Sequence, residues 1–167
     1  REQLFGGTEW SPDGRIIYYG KLDRSNPARA AAAFFAHDLV SGKERELIRR
    51  PSLNAVNLSP DGRFIASPQT GSGATMLLIP TGGGEPRELM RAPEGQQLNH
   101  LMWAPDSRSV FVKKVLTGTR QSEIWRIPLE GQPHKLGFDA SRLRAHIVVH
   151  PDGRQVAYAV AQPQNQR

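Results

Sequence analysis

The chain has 167 residues, 38% of them hydrophobic, which is enough to bury one good core. No stretch reaches the apolar length of a membrane-spanning segment, so we expect no membrane insertion, and the absence of cysteine excludes disulfides and thiolate metal sites. The 22 lysine and arginine residues outnumber the 16 aspartate and glutamate residues along the whole length, which indicates a soluble basic surface and no nucleic-acid groove.

Four copies of one turn motif organise the chain. The first reads Trp-Ser-Pro-Asp-Gly-Arg at 10–15, and the others lie at 58–63, 103–108 and 149–154, with prolines spaced by 48, 45 and 46 residues. Proline presets φ for the second position of a turn, aspartate bonds its own backbone, and glycine accepts a positive φ. The predicted turn positions are Pro12, Asp13, Gly14, Pro60, Asp61, Gly62, Pro105, Asp106, Pro151, Asp152 and Gly153.

The third copy departs from the pattern because Ser107 stands where glycine is expected. A serine with positive φ is strained, so this turn should be strained or of another type. On sequence grounds alone, glycine at this position should be neutral or stabilising.

Short apolar runs on both sides of each turn predict four units of β-strands. After a segment near Thr8, the predicted strands of the first unit are 16–19, 34–39 and 45–48. Those of the second are 55–58, 64–67, 75–79 and 87–90, those of the third 101–103, 110–114, 123–127 and 134–136, and those of the fourth 145–149 and 155–161. Residues 20–32 are predicted to form a loop, because their alanine run is too short to nucleate a helix.

Four short antiparallel strands at a period in the forties are typical of one blade of a β-propeller. The predicted fold class is therefore all-β, with blades at about residues 6–50, 51–92 and 97–138 and a half blade at 142–162, in one propeller region over the whole chain. Complete propellers have about four to eight blades, so this number predicts an open arc or part of a larger ring.

The repeat resembles that of TolB-type propellers. The turn motif carries this resemblance together with the hairpin Ile-Pro-Thr-Gly-Gly-Gly-Glu-Pro-Arg-Glu-Leu at 79–89, and residues 124–133 are similar to the same hairpin. The resemblance covers nearly the whole chain and implies a six-bladed ring. It implies a periplasmic location if the chain is like TolB, whereas a sensor or peptidase propeller is equally compatible with the cytoplasm.

Two histidines share one position of successive units, five residues before the turn proline. The position is held by Gly7 and Ala55 in the first two units and by His100 and His146 in the last two. The first strand of a blade lines the central channel, so both imidazoles should lie near a channel mouth, where a small ligand could bind. The spacing provides no third ligand, so we expect neither a metal nor a cofactor.

An arginine follows each turn, giving a column of positive charge at Arg15, Arg63, Arg108 and Arg154. The column could form a basic rim that faces an acidic partner, although an exposed strand start also favours long charged side chains. Turn chemistry already explains the aspartates, and blade geometry keeps equivalent carboxylates too far apart for acid–base work.

Sequence motifs of hydrolases, zinc proteases and phosphate-binding loops are absent, so we expect no enzyme activity. The leading hypothesis is a non-enzymatic TolB-like scaffold that binds a protein partner, whose identity the sequence leaves open. The alternatives are the regulatory propeller of a prolyl-oligopeptidase-type peptidase and the ligand-sensing propeller of a kinase or transcription regulator. Open blade edges also predict self-association.

Overall fold

The computed structural model describes residues 2–23, 31–71, 73–119, 121–137 and 143–160. Within these ranges, fourteen strands form four antiparallel sheets. The strands are β1 (Glu2–Trp10), β2 (Ile16–Asp23), β3 (Ala31–Asp38), β4 (Glu44–Arg50), β5 (Asn57–Leu58), β6 (Phe64–Gln69), β7 (Ala74–Pro80), β8 (Arg87–Ala92), β9 (Gln96–Trp103), β10 (Ser109–Leu116), β11 (Ser122–Pro128), β12 (His134–Lys135), β13 (Leu143–Val149) and β14 (Val156–Val160). In this part of the chain, no helix has the length and apolarity needed to cross a membrane.

Each sheet is a meander in which every strand pairs with the next strand in sequence. Blade 1 contains β1–β4, blade 2 contains β5–β8, blade 3 contains β9–β12, and blade 4 contains β13 and β14. The predicted all-β class and four-stranded antiparallel units are confirmed. Residues 138, 142, 161 and 162, at the predicted ends of the last two blades, lie outside the described residues.

The hydrophobic core lies between the faces of neighbouring blades. The buried side chains include Phe34 with Ile65 and Ile79 between blades 1 and 2, Met76 and Leu78 with Val112 and Ile127 between blades 2 and 3, and Phe111 with Val149 between blades 3 and 4. Successive residues of a strand point to opposite faces, so the inner blades contribute to two layers of core. Burying one such side chain stabilises the fold by about 1.5–3 kcal/mol, and the blades therefore hold one another in place.

The prediction of a loop over residues 20–32 is wrong at both ends. β2 continues to Asp23 and β3 begins at Ala31, with Leu22 paired to Ala32 across the two strands. Ala32 is buried, so packing against blade 2 overrides the weak strand preference of alanine. Residues 24–30 of this predicted loop lie outside the described residues.

The innermost strand of each blade is irregular at one equivalent place. The pairing register shifts between Phe5 and Thr8 in β1, between Asn99 and Met102 in β9, and between Leu143 and Ile147 in β13. In blade 2, β5 is only two residues long, and an isolated bridge from Leu53 to Gln69 precedes it. Bulges of this kind re-aim side chains, and here they fall on the position that the sequence predicts to face the channel.

Candidate functional site

The four turns share one pattern of backbone hydrogen bonds. In the first, the N–H of Ser11 donates to Ile16 O and the N–H of Gly14 donates to Ser11 O, both at 2.9 Å. The same two bonds recur in the other three copies. The fourth residue of each turn has a positive φ, which is +70° at Gly14, +73° at Gly62, +59° at Ser107 and +72° at Gly153. Ser107 therefore adopts the same turn as the glycines, and it carries the strain of a left-handed serine.

The aspartate of each turn acts as a structural acceptor. Its Oδ1 accepts the backbone N–H of the arginine two residues later, at 3.1, 3.0, 2.9 and 2.8 Å in turns 1 to 4. The Ser11 hydroxyl and the Arg15 N–H lower the pKa of Asp13, and the Arg154 N–H followed by His150 lower the pKa of Asp152. Because these bonds favour the charged carboxylate, the two groups are poorly suited to proton transfer near neutral pH.

Neighbouring turns touch each other across the blades. Gly62 of blade 2 lies so close to blade 1 that an added Cβ would be 2.6 Å from Pro12 Cδ. The backbone N–H of Asp61 donates to the hydroxyl of Ser107 in blade 3 at 3.0 Å. Ser107 is buried, and its hydroxyl joins blade 3 to blade 2, which a glycine could not do. The expectation that glycine would be neutral or stabilising at this position does not include this bond.

The arginines of the column define one surface, the turn rim, made up of Arg15, Arg63, Arg108 and Arg154, all of them exposed. In the first three blades the arginine carbonyl accepts the N–H of the residue that follows the third strand, at 2.9, 3.0 and 2.9 Å. The Arg15 Nη2 lies 3.8 Å from Asp38 Oδ2, and the Arg63 guanidinium lies 5.5 Å from the Phe64 ring centre. The backbone of this position thus ties the two hairpins of a blade together, and the side chains remain accessible to a partner.

A cleft of about 710 Å³, the rim cleft, opens beside the third turn. Its lining residues are Asp106, Arg108, Arg126, Pro128, Leu129 and Glu130. The Nε of Arg126 donates to the hydroxyl of buried Ser109 at 3.0 Å, and its guanidinium lies 5.8 Å from the Phe111 ring centre. The cleft therefore combines an anchored cation, a second exposed cation, the carboxylates of Asp106 and Glu130, and apolar surface from the turn after β11.

His100 lies in the bulge of β9, where it is half-buried and has a φ of +50°. It lines a cleft of about 430 Å³ between the inner strands of blades 2 and 3, together with Asn54, Asn57 and Asn99. The side chain of His146 lies outside the described residues. Among the residues that the structure describes, no group of three or more His, Cys, Asp or Glu side chains could hold a metal ion.

Two further arginines join the blades, although sequence reasoning did not single them out. The Nη2 of Arg45 donates to Thr81 O at 2.5 Å and that of Arg87 donates to Leu129 O at 2.8 Å, each from an outer strand to the next blade. A repeated sequence could have revealed them, because the outer strands of blades 1 and 2 have nearly the same residues, Arg-Glu-Leu-Ile-Arg at 45–49 and Arg-Glu-Leu-Met-Arg at 87–91. A register shift in each strand lets the glutamate pair with the second arginine three residues on.

Comparison with known proteins bears on the fold. No protein-family model matches the chain, and no curated protein matches it. An oligogalacturonate lyase in complex with manganese has a TM-score of 0.74 and 15% identity, and the match covers 97% of this chain and 48% of the lyase. TolB from Acinetobacter baumannii has a TM-score of 0.68 and 18% identity over 98% of this chain and 39% of TolB.

A third similar structure is the β-propeller domain of the Trilobed protease from Pyrococcus furiosus, with a TM-score of 0.60 and 13% identity over 80% of this chain and 43% of that one. The chain thus spans about half or less of the length of these proteins. At such low identity the likeness shows the fold alone. Stacked antiparallel sheets, each with a Ser-Pro-Asp-Gly-type turn between its first two strands, give this chain the fold of a TolB-like β-propeller, with three four-stranded blades and one pair of strands among the described residues.

Proposed function

We propose that this chain is a non-enzymatic propeller scaffold that binds a protein partner at the turn rim. The observation that supports this most is the rim cleft, where Arg108 and Arg126 lie beside Pro128 and Leu129. Loops held by a rigid sheet stack are the usual place for binding residues in such scaffolds. A partner loop with an acidic side chain next to an apolar one fits this lining, since arginine pairs well with carboxylates.

The hydrogen bonds and lowered pKa values of the turn aspartates also support a binding function rather than catalysis. Each carboxylate is occupied by the backbone of its own turn, and the pKa of Asp13 and that of Asp152 are lowered. At the rim, the side chains that remain for a partner are the exposed arginines, together with Glu130 and the apolar surface of the cleft. The likeness to TolB agrees with this proposal.

Site-specific photo-crosslinking tests the proposed surface. The crosslinking amino acid replaces Glu130, which is exposed in the rim cleft, and in a control variant it replaces Gln97, an exposed residue of β9 away from the cleft. We expect one discrete protein from the cognate cell extract to be crosslinked from position 130 and not from 97, and unlabelled chain to compete for it. Equal labelling from both positions would contradict the proposal.

We also expect the purified chain to hydrolyse neither ester nor peptide substrates, because it lacks the motifs of such enzymes. Turnover of a chromogenic ester or peptide is the measurement. Activity that a point mutation within these residues abolishes would show that the chain is an enzyme.

The second candidate function is the propeller of a peptidase, and the similarity to the propeller domain of the Trilobed protease favours it. In that role the chain is the regulatory domain of a prolyl-oligopeptidase-type enzyme. The reading frame around these residues distinguishes the candidates. A Gly-x-Ser-x-Gly motif downstream favours the peptidase, and a signal peptide upstream favours a scaffold of the cell envelope.

A ligand-sensing propeller is the third candidate, and the cleft beside His100 favours it. Its amide side chains could hold a small polar molecule at the inner strands. A kinase or DNA-binding domain in the same reading frame would favour this function, and a His100→Ala variant that still binds the ligand would contradict the assignment of the site.

A further inference from the structure

A cleft of about 540 Å³, the outer cleft, lies between blades 2 and 3 beside the outermost strand of blade 2. Met90 of β8 and the following Pro93 line one wall, and Trp125 of β11 and Pro133 line the other. Both blades have four strands, so this chain itself supplies both walls. The volume lies within the range of about 300–1,000 Å³ that is typical of small-molecule sites. The outer cleft shares no lining residue with the rim cleft.

The equivalent contact between blades 1 and 2 is closed. Leu77 holds in β7 the position of Trp125 in β11, four residues before the residue whose N–H donates to the carbonyl of the turn arginine. Ile48 holds in β4 the position of Met90 in β8, because the two strands carry the repeated segments at 45–49 and 87–91. Leu77 and Ile48 are buried in one core cluster, whereas Trp125 and Met90 are only partly buried. Blade packing therefore does not itself require a cleft at this place.

Trp125 is held in place by a network of charged side chains. Its Nε1 donates to Glu123 Oε2 at 2.9 Å, and the Nζ of Lys114 lies 4.3 Å from its ring centre. The Glu123 carboxylate also pairs with Lys114 and Lys135, with nitrogen–oxygen distances of 3.0 and 2.8 Å. A ring fixed in this way loses little freedom when a ligand binds, and the flexible thioether of Met90 on the other wall can adapt to the shape of the ligand.

The described charged groups at the outer cleft leave an excess of positive charge. Arg91 donates through both Nε and Nη2 to the two oxygens of Glu88, so this pair is neutral. Lys114 and Lys135, in contrast, share the single carboxylate of Glu123. The Lys114 side chain lines the cleft and is only 15% exposed, so water screens its attraction to an anion less than at an open surface. The cleft therefore suits a ligand that has an apolar part and a negative charge.

We propose that the outer cleft binds an aromatic carboxylate, with the ring between Trp125 and Met90 and the carboxylate at the ammonium of Lys114. A flat ring makes the largest contact with a flat indole, and a charged hydrogen bond orients the carboxylate. The ligand is either a free aryl acid or an aromatic residue at the C-terminus of a peptide, since both present the same groups. This site does not depend on the proposed function of the turn rim.

A nuclear magnetic resonance titration of the full, isotope-labelled chain tests the site, because its three tryptophans give three indole N–H signals. The probe is phenylacetate, and phenylacetamide is its uncharged control. We expect phenylacetate to shift the Trp125 signal, identified by its loss in Trp125→Leu, more than the signals of Trp10 and Trp103. The amide should bind about tenfold more weakly, because it cannot form the charged hydrogen bond.

Matched variants test the groups assigned to the ligand. Lys114→Gln removes a positive charge from the cleft, and Lys43→Gln makes the same change at an exposed lysine between β3 and β4. We expect Lys114→Gln to weaken phenylacetate binding about tenfold, Lys114→Arg to retain most of it, and Lys43→Gln to leave it unchanged. Trp125→Leu introduces the residue that blade 2 has at this position, so it should fold, as circular dichroism verifies, and abolish binding as followed by the phenylacetate signals.

A peptide distinguishes the two sources of the ligand. Clearly tighter binding of N-acetylglycyl-phenylalanine than of phenylacetate assigns the site to a peptide C-terminus, and equal or weaker binding assigns it to a free aryl acid. A Trp125 signal that moves no more than those of Trp10 and Trp103 would overturn the inference. Equal binding of phenylacetate and phenylacetamide, or wild-type affinity in Lys114→Gln or Trp125→Leu, would also overturn it.

Discussion

Gly14 and Gly62 occupy the same turn position but have different surroundings. Both have a positive φ, yet nothing lies within 4 Å of a Cβ added to Gly14, whereas a Cβ on Gly62 would meet Pro12 of blade 1. Gly14→Ala should therefore cost only the backbone strain, about 1 kcal/mol, and Gly62→Ala should cost a further 1–3 kcal/mol or so through the clash. Urea unfolding of both variants measures the difference. Equal losses of stability would show that the turns do not touch.

Ser107 is subject to two opposing effects that variants can separate. Ser107→Ala keeps the left-handed strain and removes the acceptor for the Asp61 N–H, so it should destabilise by about 1 kcal/mol. Ser107→Gly also loses the acceptor but relieves strain of similar size, so its stability should be close to that of the wild type and above that of Ser107→Ala. Thermal unfolding ranks the three proteins. A glycine variant clearly more stable than the wild type would show that the hydrogen bond contributes little.

We expect Glu123 to make the stability of the protein depend on pH. Hydrogen bonds from Lys135, Trp125 and Lys114 lower its pKa from the ordinary value of 4.5 to about 2. Because the folded pKa is the lower one, the stabilisation is complete above pH 4.5 and is lost as the pH falls towards 2. Glu123→Gln should lower the melting temperature at pH 7, and the gap to the wild type should shrink over that interval. A constant gap would contradict the assignment, and Glu94→Gln serves as an exposed control.

At the scale of elements, the indole of Trp103 links the innermost strands of two blades. Trp103→Phe keeps an aromatic ring in the core and removes the donor to Asn57 O, so it should destabilise by roughly 0.5–1.5 kcal/mol. Trp10→Phe makes the same change at the exposed equivalent position and should have little effect on the stability of a single copy. Chemical denaturation at low protein concentration measures the stability of both variants. Similar losses of stability in the two would contradict the role assigned to the Trp103 indole.

The hairpins could be predicted from the sequence because their signals are local. Proline and aspartate fix each turn, with glycine in three of the four, and alternating apolar residues define the strands beside them. The start of β9 at Gln96, five residues before the predicted strand, could not be derived in this way. Its pairing with β10 through Leu116 and the bulge at His100 depend on the partner strand, which a single segment does not specify.

At the scale of the whole molecule, the sequence repeat was enough to predict the arginine column. The cleft beside it could not be predicted in this way, because it forms only through tertiary contacts. Arg108 is found by aligning the four turns, whereas Arg126 and Glu130 come from the next hairpin and reach the cleft only when blade 3 is folded. The same limit applies to Trp10 and Trp103. They are identical in sequence position, and only the presence of a neighbouring blade makes one buried and the other exposed.

The central proposal, that the turn rim is a protein-binding surface, is tested most directly by titrating the protein that position 130 captures against two variants of equal net charge. Arg108→Gln removes a positive charge inside the rim cleft, and Gln97→Glu adds a negative charge away from it. We predict that Arg108→Gln weakens binding by about tenfold, since it removes a partner for a carboxylate, and that Gln97→Glu leaves the affinity unchanged. Equal affinities for both variants and the wild type, or equal losses in both, would contradict the proposal.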